Sequence, residues 1–384
     1  MKLLYVYTAL TTKGGTDRVL SIKANWLSEH GYDVLIVTDS QMGREPAFPL
    51  SAKVKLNDLA IDFGKEYGHN FFIRIIIYYK LMYLFRKKLA SVIRKERPDI
   101  IISTLGRDIS FLLRIKGNCK CIGEAHTTKY FIRNFHLLER KNILLKYLIK
   151  FFRWRMDCNV AKLDALVVLA DEHRVDWNVS IPMYVIPNFL SFFPEETAEL
   201  LKKEVIMVGR YNDAKGYDYL IPAWGIVHKH HPDWLLNVYG SGELHDQVVE
   251  WINERHLDDS IILHEPIDDI MDRYLESSIC VLSSRYEGFS LVIMEAMACG
   301  VPVVSFDCPH GPRNIIKHGE DGLLVEYLNP QALADGLCQL IEDEDLRKRL
   351  GSNARKNILR FSKDTVMSQW DTLFHILKTD ESHG

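Results

Sequence analysis

The sequence predicts an α/β protein made of two parallel-sheet domains. Three observations carry that expectation. At 384 residues the chain is longer than one ordinary hydrophobic core organises. Short β-rich runs alternate with helical periods along it, the pattern of successive βαβ units. The charge also divides: residues 1–190 hold 30 Lys/Arg against 18 Asp/Glu, whereas residues 191–384 hold 18 against 33. Halves of opposite sign predict two domains with different partners, the basic one facing something anionic.

The elements follow in order. Residues 2–8 form a first strand. Their apolar run is short, polar residues and Gly14-Gly15 follow, and no small-residue cleavage pattern marks a signal peptide. A helix near 16–30 ends at Gly31, and YDVLIVTD (32–39) is the next strand. DIIIST (99–104), KCIGEA (120–125) and DALVVLA (164–170) continue the first sheet. MYVIPNFLSFFPEET (183–197), with Pro187 and Pro194, reads as a linker. A second series then begins with VIMVGR (205–210) and a helix at 216–231. WLLNVYG (234–240), SIILHE (260–265), SICVLSS (278–284), VPVVSF (301–306) and GLLVE (322–326) are its remaining strands. Asn329-Pro330 opens a helix as N-cap and first residue. The expected domains are 1–188 and 189–361, with a C-terminal helix at about 362–378 packing back on the first.

Composition excludes several classes. No run of 18 uncharged apolar residues exists, and the most apolar stretch, FFIRIIIYYKLMYLF (71–85), is broken by Arg74 and Lys80. The seven cysteines are scattered, with only a C-x-C at Cys119 and Cys121, which fits a reduced cytoplasmic compartment. Asp268-Asp269 and Asp343-Glu344-Asp345 read as surface charge rather than metal ligands.

The chemistry is expected where loops leave the carboxyl ends of parallel strands. RYEGFSLVIMEAMACG (285–300) joins a strand to a helix and keeps Glu287 and Glu295 around an apolar run. Free amides at Phe289, Ser290 and Leu291 suit an anion, while the carboxylates suit pairs of sugar hydroxyls. Together they describe a nucleotide-sugar site. The plainer alternative makes Glu287 a helix cap and pairs Glu295 with a nearby arginine. GRYNDAKG (209–216) brings Arg210 and Lys215 to another strand end, as cations for a diphosphate. GSGE (240–243) follows a strand and offers Gly240 for close approach of backbone to a ligand.

Taken in order, GG…E-x-H…IPN…GR-x4-KG…G-x-G…E-x7-E…DG-x-LV resembles the retaining glycosyltransferases of the GT4 family, over most of the chain. The resemblance implies the GT-B fold, two facing Rossmann-like parallel-sheet domains with an interdomain cleft. It implies that Glu295 holds the ribose and that Glu287 and the 288–291 amides hold the transferred sugar and phosphates. Arg210 and Lys215, with Gly14 and Gly15, would bind the diphosphate, and His126 would lie beside the reacting sugar. The implied reaction moves a hexosyl group from a nucleotide-sugar donor to a glycan hydroxyl with retention, using no cofactor and no metal. FDCPHGPRNII (306–316) resembles members using UDP-linked galactose, N-acetylgalactosamine or N-acetylglucosamine, with Cys308 to Arg313 helping to choose the sugar. Asn314 departs from the Glu or Asp usual there.

Two windows, 71–97 and 129–156, each interleave 8 Lys/Arg and 1 acidic residue with aromatic and aliphatic side chains. They suit either a solvated rim around core residues or an anionic membrane interface, hence a lipid-linked acceptor at the inner face of the membrane. No nucleic-acid-binding motif accompanies them. Two other functions stay open: a GT-B sugar-nucleotide epimerase, and a non-catalytic sugar-nucleotide-binding subunit.

Overall fold

The structure, a computed structural model, describes residues 1–66, 68–129, 143–267 and 269–379. The chain divides into two compact units, Met1–Pro187 with Val366–Gly384, and Asn188–Thr365.

The first unit is built on a seven-stranded sheet in the order β3-β2-β1-β4-β5-β6-β7. Its strands are β1 (Lys2–Tyr7), β2 (Asp33–Thr38), β3 (Lys55–Asp58), β4 (Ile100–Ser103), β5 (Lys120–Glu124), β6 (Ala165–Val168) and β7 (Met183–Val185). All pair in parallel, with Leu4 opposite both Leu35 and Ile101 at the centre. Central strands such as Ile100–Ser103 are wholly buried, as expected where both sheet faces are covered. Helices α1 (Gly15–Glu29), α2 (Phe71–Glu96) and α3 (Ile143–Val160) belong to this unit. α2 starts at Asn70, whose side chain accepts from the Ile73 amide, and ends at Arg97 in the left-handed region. Its second half joins the core through Phe85, Leu89 and Ile93, which recur every four residues along one face. The C-terminal helix, Lys363–Thr379, supplies Trp370 and Phe374 to the same unit, and Asp371 accepts from the Tyr32 hydroxyl at 2.5 Å.

The second unit carries a six-stranded parallel sheet in the order β10-β9-β8-β11-β12-β13. The strands are β8 (Glu204–Val208), β9 (Leu235–Tyr239), β10 (Ile261–His264), β11 (Ile279–Leu282), β12 (Val303–Phe306) and β13 (Gly322–Val325). Around them lie α4 (Tyr217–His230), α5 (His245–Asn253), α6 (Met271–Glu276), α7 (Leu291–Ala298), α8 (Pro330–Glu342) and α9 (Glu344–Asn357). Trp224, Tyr217, Phe306 and Leu337 fill the core. Asn329 caps α8, its side chain accepting from the Gln331 and Ala332 amides, and Asp343 caps α9 by accepting from Leu346.

In both sheets the strand order reverses beside the first strand, between β1 and β4 and between β8 and β11. Such switch points open a crevice at the carboxyl ends of the strands. One expectation needs correction. The segment 183–197 is not linker throughout, because Met183–Val185 forms the edge strand β7 against β6. Three half-buried residues between Pro182 and Pro187 are too few to show a period in the sequence. Among the described residues no helix is long and apolar enough to cross a membrane.

Candidate functional site

In the second unit two strand-end loops are laced together at the switch point. The loop after β8 runs through a single turn, Asp213–Lys215, to Gly216, whose φ of 63° is left-handed. A Cβ at Gly216 would lie 2.2 Å from the Ser283 carbonyl oxygen, so only glycine fits. Ser283 Oγ donates to the Lys215 carbonyl at 2.8 Å, and the Arg285 amide donates to the Ala214 carbonyl at 2.8 Å. The Arg285 guanidinium spans from the Asp213 carbonyl (2.7 Å) to Asp218 (2.5 Å), above the Tyr219 ring.

This lacing brings Lys215 Nζ to 2.6 Å from Glu287 Oε1, which also accepts from Ser284 Oγ at 2.6 Å. The aliphatic stem of Lys215 lies over Gly209, and Gly311 packs on the Glu287 stem, where a Cβ would approach to 2.5 Å. The 306–316 turn therefore touches Glu287 directly. There Arg313 forms a two-pronged pair with Asp307, at 2.9 and 2.6 Å. Burial, with Glu287 nearby, pushes the Cys308 thiol well up. Arg210, in the same loop as Lys215, is exposed, and among the described residues no polar group meets its side chain.

Beyond Glu287, half-buried Gly288 leads to Phe289, which is anchored edge-on against Phe361 and accepts from the Asn188 side chain at 3.2 Å. Ser290 caps α7 through its backbone, so its hydroxyl is left buried without a partner among the described residues. Leu291 opens the helix, where amide N–H groups have no intrahelical acceptor. Glu295, 4% exposed, accepts from Ser191 Oγ at 2.7 Å and from the Tyr274 hydroxyl at 3.5 Å. The two glutamates thus have separate hydroxyl and cation partners. A Cβ at Gly240 would come within 1.9 Å of the Gly209 carbonyl oxygen, so the neighbouring strand end already requires glycine there.

In the first unit Gly14 caps α1 in an extended conformation and Gly15 is its exposed first residue. The loop before them is held by Asp17, which accepts from the Tyr7 hydroxyl (2.5 Å), the Thr12 amide (2.8 Å) and the Thr12 hydroxyl (3.0 Å). His126 follows β5, its Nε2 standing 3.5 Å from Glu124 Oε1. Glu124 accepts from Lys23 Nζ, and both are buried. Burial pulls the His126 pKa below its usual value, only partly opposed by Glu124. For Glu124 burial acts upward, but Lys23 and His126 outweigh it and keep the carboxyl ionised.

Two family models divide the chain: "Glycosyltransferase Family 4" matches residues 13–191 and "Glycosyl transferases group 1" matches 191–357. The chain belongs to the GT4-type glycosyltransferases. An uncharacterized glycosyltransferase of Haemophilus influenzae is 27% identical to it, over 96% of this chain and 98% of the other. The amylovoran biosynthesis glycosyltransferase AmsD of Erwinia amylovora is also 27% identical, over 97% and 99%. Among solved structures, sucrose-phosphate synthase from Thermosynechococcus elongatus superposes with a TM-score of 0.80 at 18% identity, covering 99% of this chain and 100% of its own. TarM of S. aureus superposes at 0.77 with 17% identity, covering 97% and 99%, and a variant of it was solved with fondaparinux, alpha-GlcNAc-glycerol and UDP. Both units have the parallel sheets of the GT-B fold.

Within this glycosyltransferase the structure joins Lys215 to Glu287, lays the 306–316 turn on them, and gives Glu295 its own buried partners. Sequence reasoning missed Lys23 and Asp17 and gave no role to Glu124, the glutamate of E-x-H. The signal for Lys23 was present: it falls on the apolar stripe of Leu20, Ala24 and Leu27, where a solvated lysine has no place. Of the acidic pairs set aside as surface charge, Asp268 lies outside the described residues. Among those described, no group of three or more His, Cys, Asp or Glu is placed to hold a metal ion.

Proposed function

We propose that this glycosyltransferase moves a hexosyl group from UDP-linked galactose, N-acetylgalactosamine or N-acetylglucosamine to a glycan hydroxyl with retention of configuration. The acceptor is a lipid-linked glycan of surface polysaccharide synthesis, met at the inner face of the membrane. The observation that carries the reading is the Lys215–Glu287 pair, from loops 72 residues apart, at the switch point of the second unit. A diphosphate is a stronger partner for an ammonium than one carboxylate. It would draw Lys215 away and release Glu287 to accept from hydroxyls of the sugar. Arg210, with its side chain unengaged, adds a second cation, and the amides of Ser290 and Leu291 add donors. Glu295 would take the ribose hydroxyls in place of Tyr274. Gly14 and Gly15 serve the diphosphate and His126 the reacting sugar.

No protein base is required. The leaving phosphate accepts the proton of the attacking hydroxyl on the same face of the sugar, while the protein positions both and neutralises the developing charge. That charge is met by Lys215, Arg210 and backbone amides, without a metal. The relative named for amylovoran biosynthesis and the UDP held by the TarM variant support the class of product and nucleotide.

The membrane side rests on α2. One face of its first half packs on the core through Tyr78, Leu81 and Met82, while Phe72 76%, Ile76 67%, Tyr79 67% and Tyr83 68% are exposed among Arg74, Lys80, Arg86 and Lys87. α3 exposes Tyr147 and Trp154 beside Lys146 and Lys150. Residues 130–142 of the second basic window lie outside the described residues. The decisive experiment incubates the chain with a panel of UDP-sugars and a lipid-linked acceptor, and reads the product anomer by NMR. UDP release only with acceptor, and an α product from an α donor, are expected. An epimerised donor, or binding with no turnover across the panel, would overturn the proposal.

A further inference from the structure

A fully buried ion pair beside His126 has no role in the reading so far. Lys23 on α1 donates to Glu124 Oε1, the two side chains being 1% and 3% exposed. The Trp370 ring of the C-terminal helix covers the ammonium at 4.0 Å, and the Tyr5 ring lies 5.5 Å away. Enclosing two charges is costly, and such pairs are often replaceable by apolar residues of equal volume without loss of stability. Stability alone is therefore a weak reason for this one. Among the described residues, Glu124 Oε2 and His126 Nε2 are both buried without a hydrogen-bond partner. They lie on adjoining groups, with Nε2 already 3.5 Å from Oε1. An Nε2–H turned onto Oε2 would satisfy both. His126 Nδ1 is not among those atoms, and among the described residues no hydrogen bond engages it.

We propose that Glu124, paired with Lys23, is a positioning residue that holds His126 as the Nε2–H tautomer and leaves Nδ1 facing outward as an acceptor. Lys23 fixes which carboxylate oxygen is occupied, and Trp370 keeps water from Lys23. Among the described residues, the charged groups that reach His126 are Glu124 at the end of β5 and Lys23 and Asp17 on α1. The logic also predicts what an amide would do. In Glu124→Gln, Lys23 claims the single amide oxygen, the NH2 faces His126, and Nε2 must accept. The ring then carries its proton on Nδ1, the wrong edge for a hydroxyl donor.

The inference rests on His126 serving the transfer, so two readouts are kept apart. Long-range proton–nitrogen NMR on the full chain labelled at its 15 histidines reports the tautomer, with His126 assigned from His126→Gln. At pH 7.5 the wild type should show pyridine-like Nδ1 and pyrrole-like Nε2, and Glu124→Gln the reverse. Transfer from the UDP-sugar should fall roughly 10- to 100-fold in kcat with donor KM little changed, the loss of one charge-assisted hydrogen bond. Should Glu124→Gln not fold, Lys23→Met with Glu124→Leu removes both charges together and should give a mixture of tautomers. An unchanged tautomer in either variant overturns the positioning role. Full transfer by His126→Ala would instead overturn the assignment of His126 to the reaction, leaving the tautomer result standing.

Discussion

Replacing Glu295 by Gln separates the two demands on that carboxylate. In the structure it is 4% exposed and accepts from Ser191 Oγ at 2.7 Å and the Tyr274 hydroxyl at 3.5 Å. Glutamine has the same shape and one remaining acceptor, which Ser191, the nearer donor, retains. Of these two contacts the long one to Tyr274 is then forfeited, a loss of about 1 kcal/mol or less to the fold. A ribose is affected more, because two vicinal hydroxyls need the charged acceptor at both oxygens. Loss of charge assistance on that contact is worth about 1.5–3 kcal/mol, or roughly 10- to 150-fold in UDP affinity. Titration calorimetry with UDP measures the second quantity and urea melts the first. Unchanged UDP affinity together with a clear drop in stability would refute the ribose assignment and leave Glu295 as a structural acceptor for Ser191. Glu295→Ala is the poorer probe, because it strands both hydroxyls and adds a cavity in one step.

Lys215→Met should weaken UDP binding about 10-fold or more with the fold retained, since the methionine stem still covers Gly209; equal UDP affinity in calorimetry would remove Lys215 from the diphosphate. Gly240→Ala places a methyl 1.9 Å from the Gly209 carbonyl oxygen, so the β8 and β9 loops must part, and a loss of about 3 kcal/mol or more is expected in urea melts. Asp39 is buried and its pKa is pushed up to about 6, by burial first and by Asp108 and Asp58 among others. A raised carboxyl favours folding below its unfolded pKa near 4 and loses that contribution as pH rises through about 6. Asp39→Asn should therefore gain up to about 3 kcal/mol at pH 8 but little at pH 4, and equal effects at both pH values would refute the assignment. Ile76→Ser with Tyr79→Ser on the exposed half of α2 should abolish salt-sensitive sedimentation with anionic vesicles while UDP affinity is unchanged, and undiminished sedimentation would place any membrane contact elsewhere.

The sequence made some of this legible for a physical reason. Strands such as Ile100–Ser103, Ile279–Leu282 and Val303–Phe306 are buried on both faces, so they appear as unbroken apolar runs between turn residues. Edge strands lose that signal. Lys55–Asp58 carries two charges and is half open to solvent, and Met183–Val185 is too short to repeat anything. The motifs were legible as positions because each closes a strand, but their partners were not. Lys215 meets Glu287 across 72 residues because the sheet places β8 beside β11, and no local spacing encodes that neighbourhood.

The E-x7-E pair shows how spacing and contact part company. Glu287 and Glu295 stand eight positions apart along loop and helix. The chain ties the first to Lys215 and Ser284 and the second to Ser191 and Tyr274. Ser191 comes from the segment entering the second unit, 104 residues earlier, so the carboxylate that looked out of place in an apolar helix has an acceptor's role before any ligand arrives. A buried carboxylate without such donors would be forced toward protonation. Held by two hydroxyls, the farther of which a ribose can displace, it stays available. The same economy governs Glu287, whose lysine is a partner that a diphosphate can take. On this argument both glutamates are kept ready by side chains that imitate parts of the donor, a hydroxyl pair for one and a displaceable cation for the other. UDP binding should then cost the protein little rearrangement beyond those exchanges.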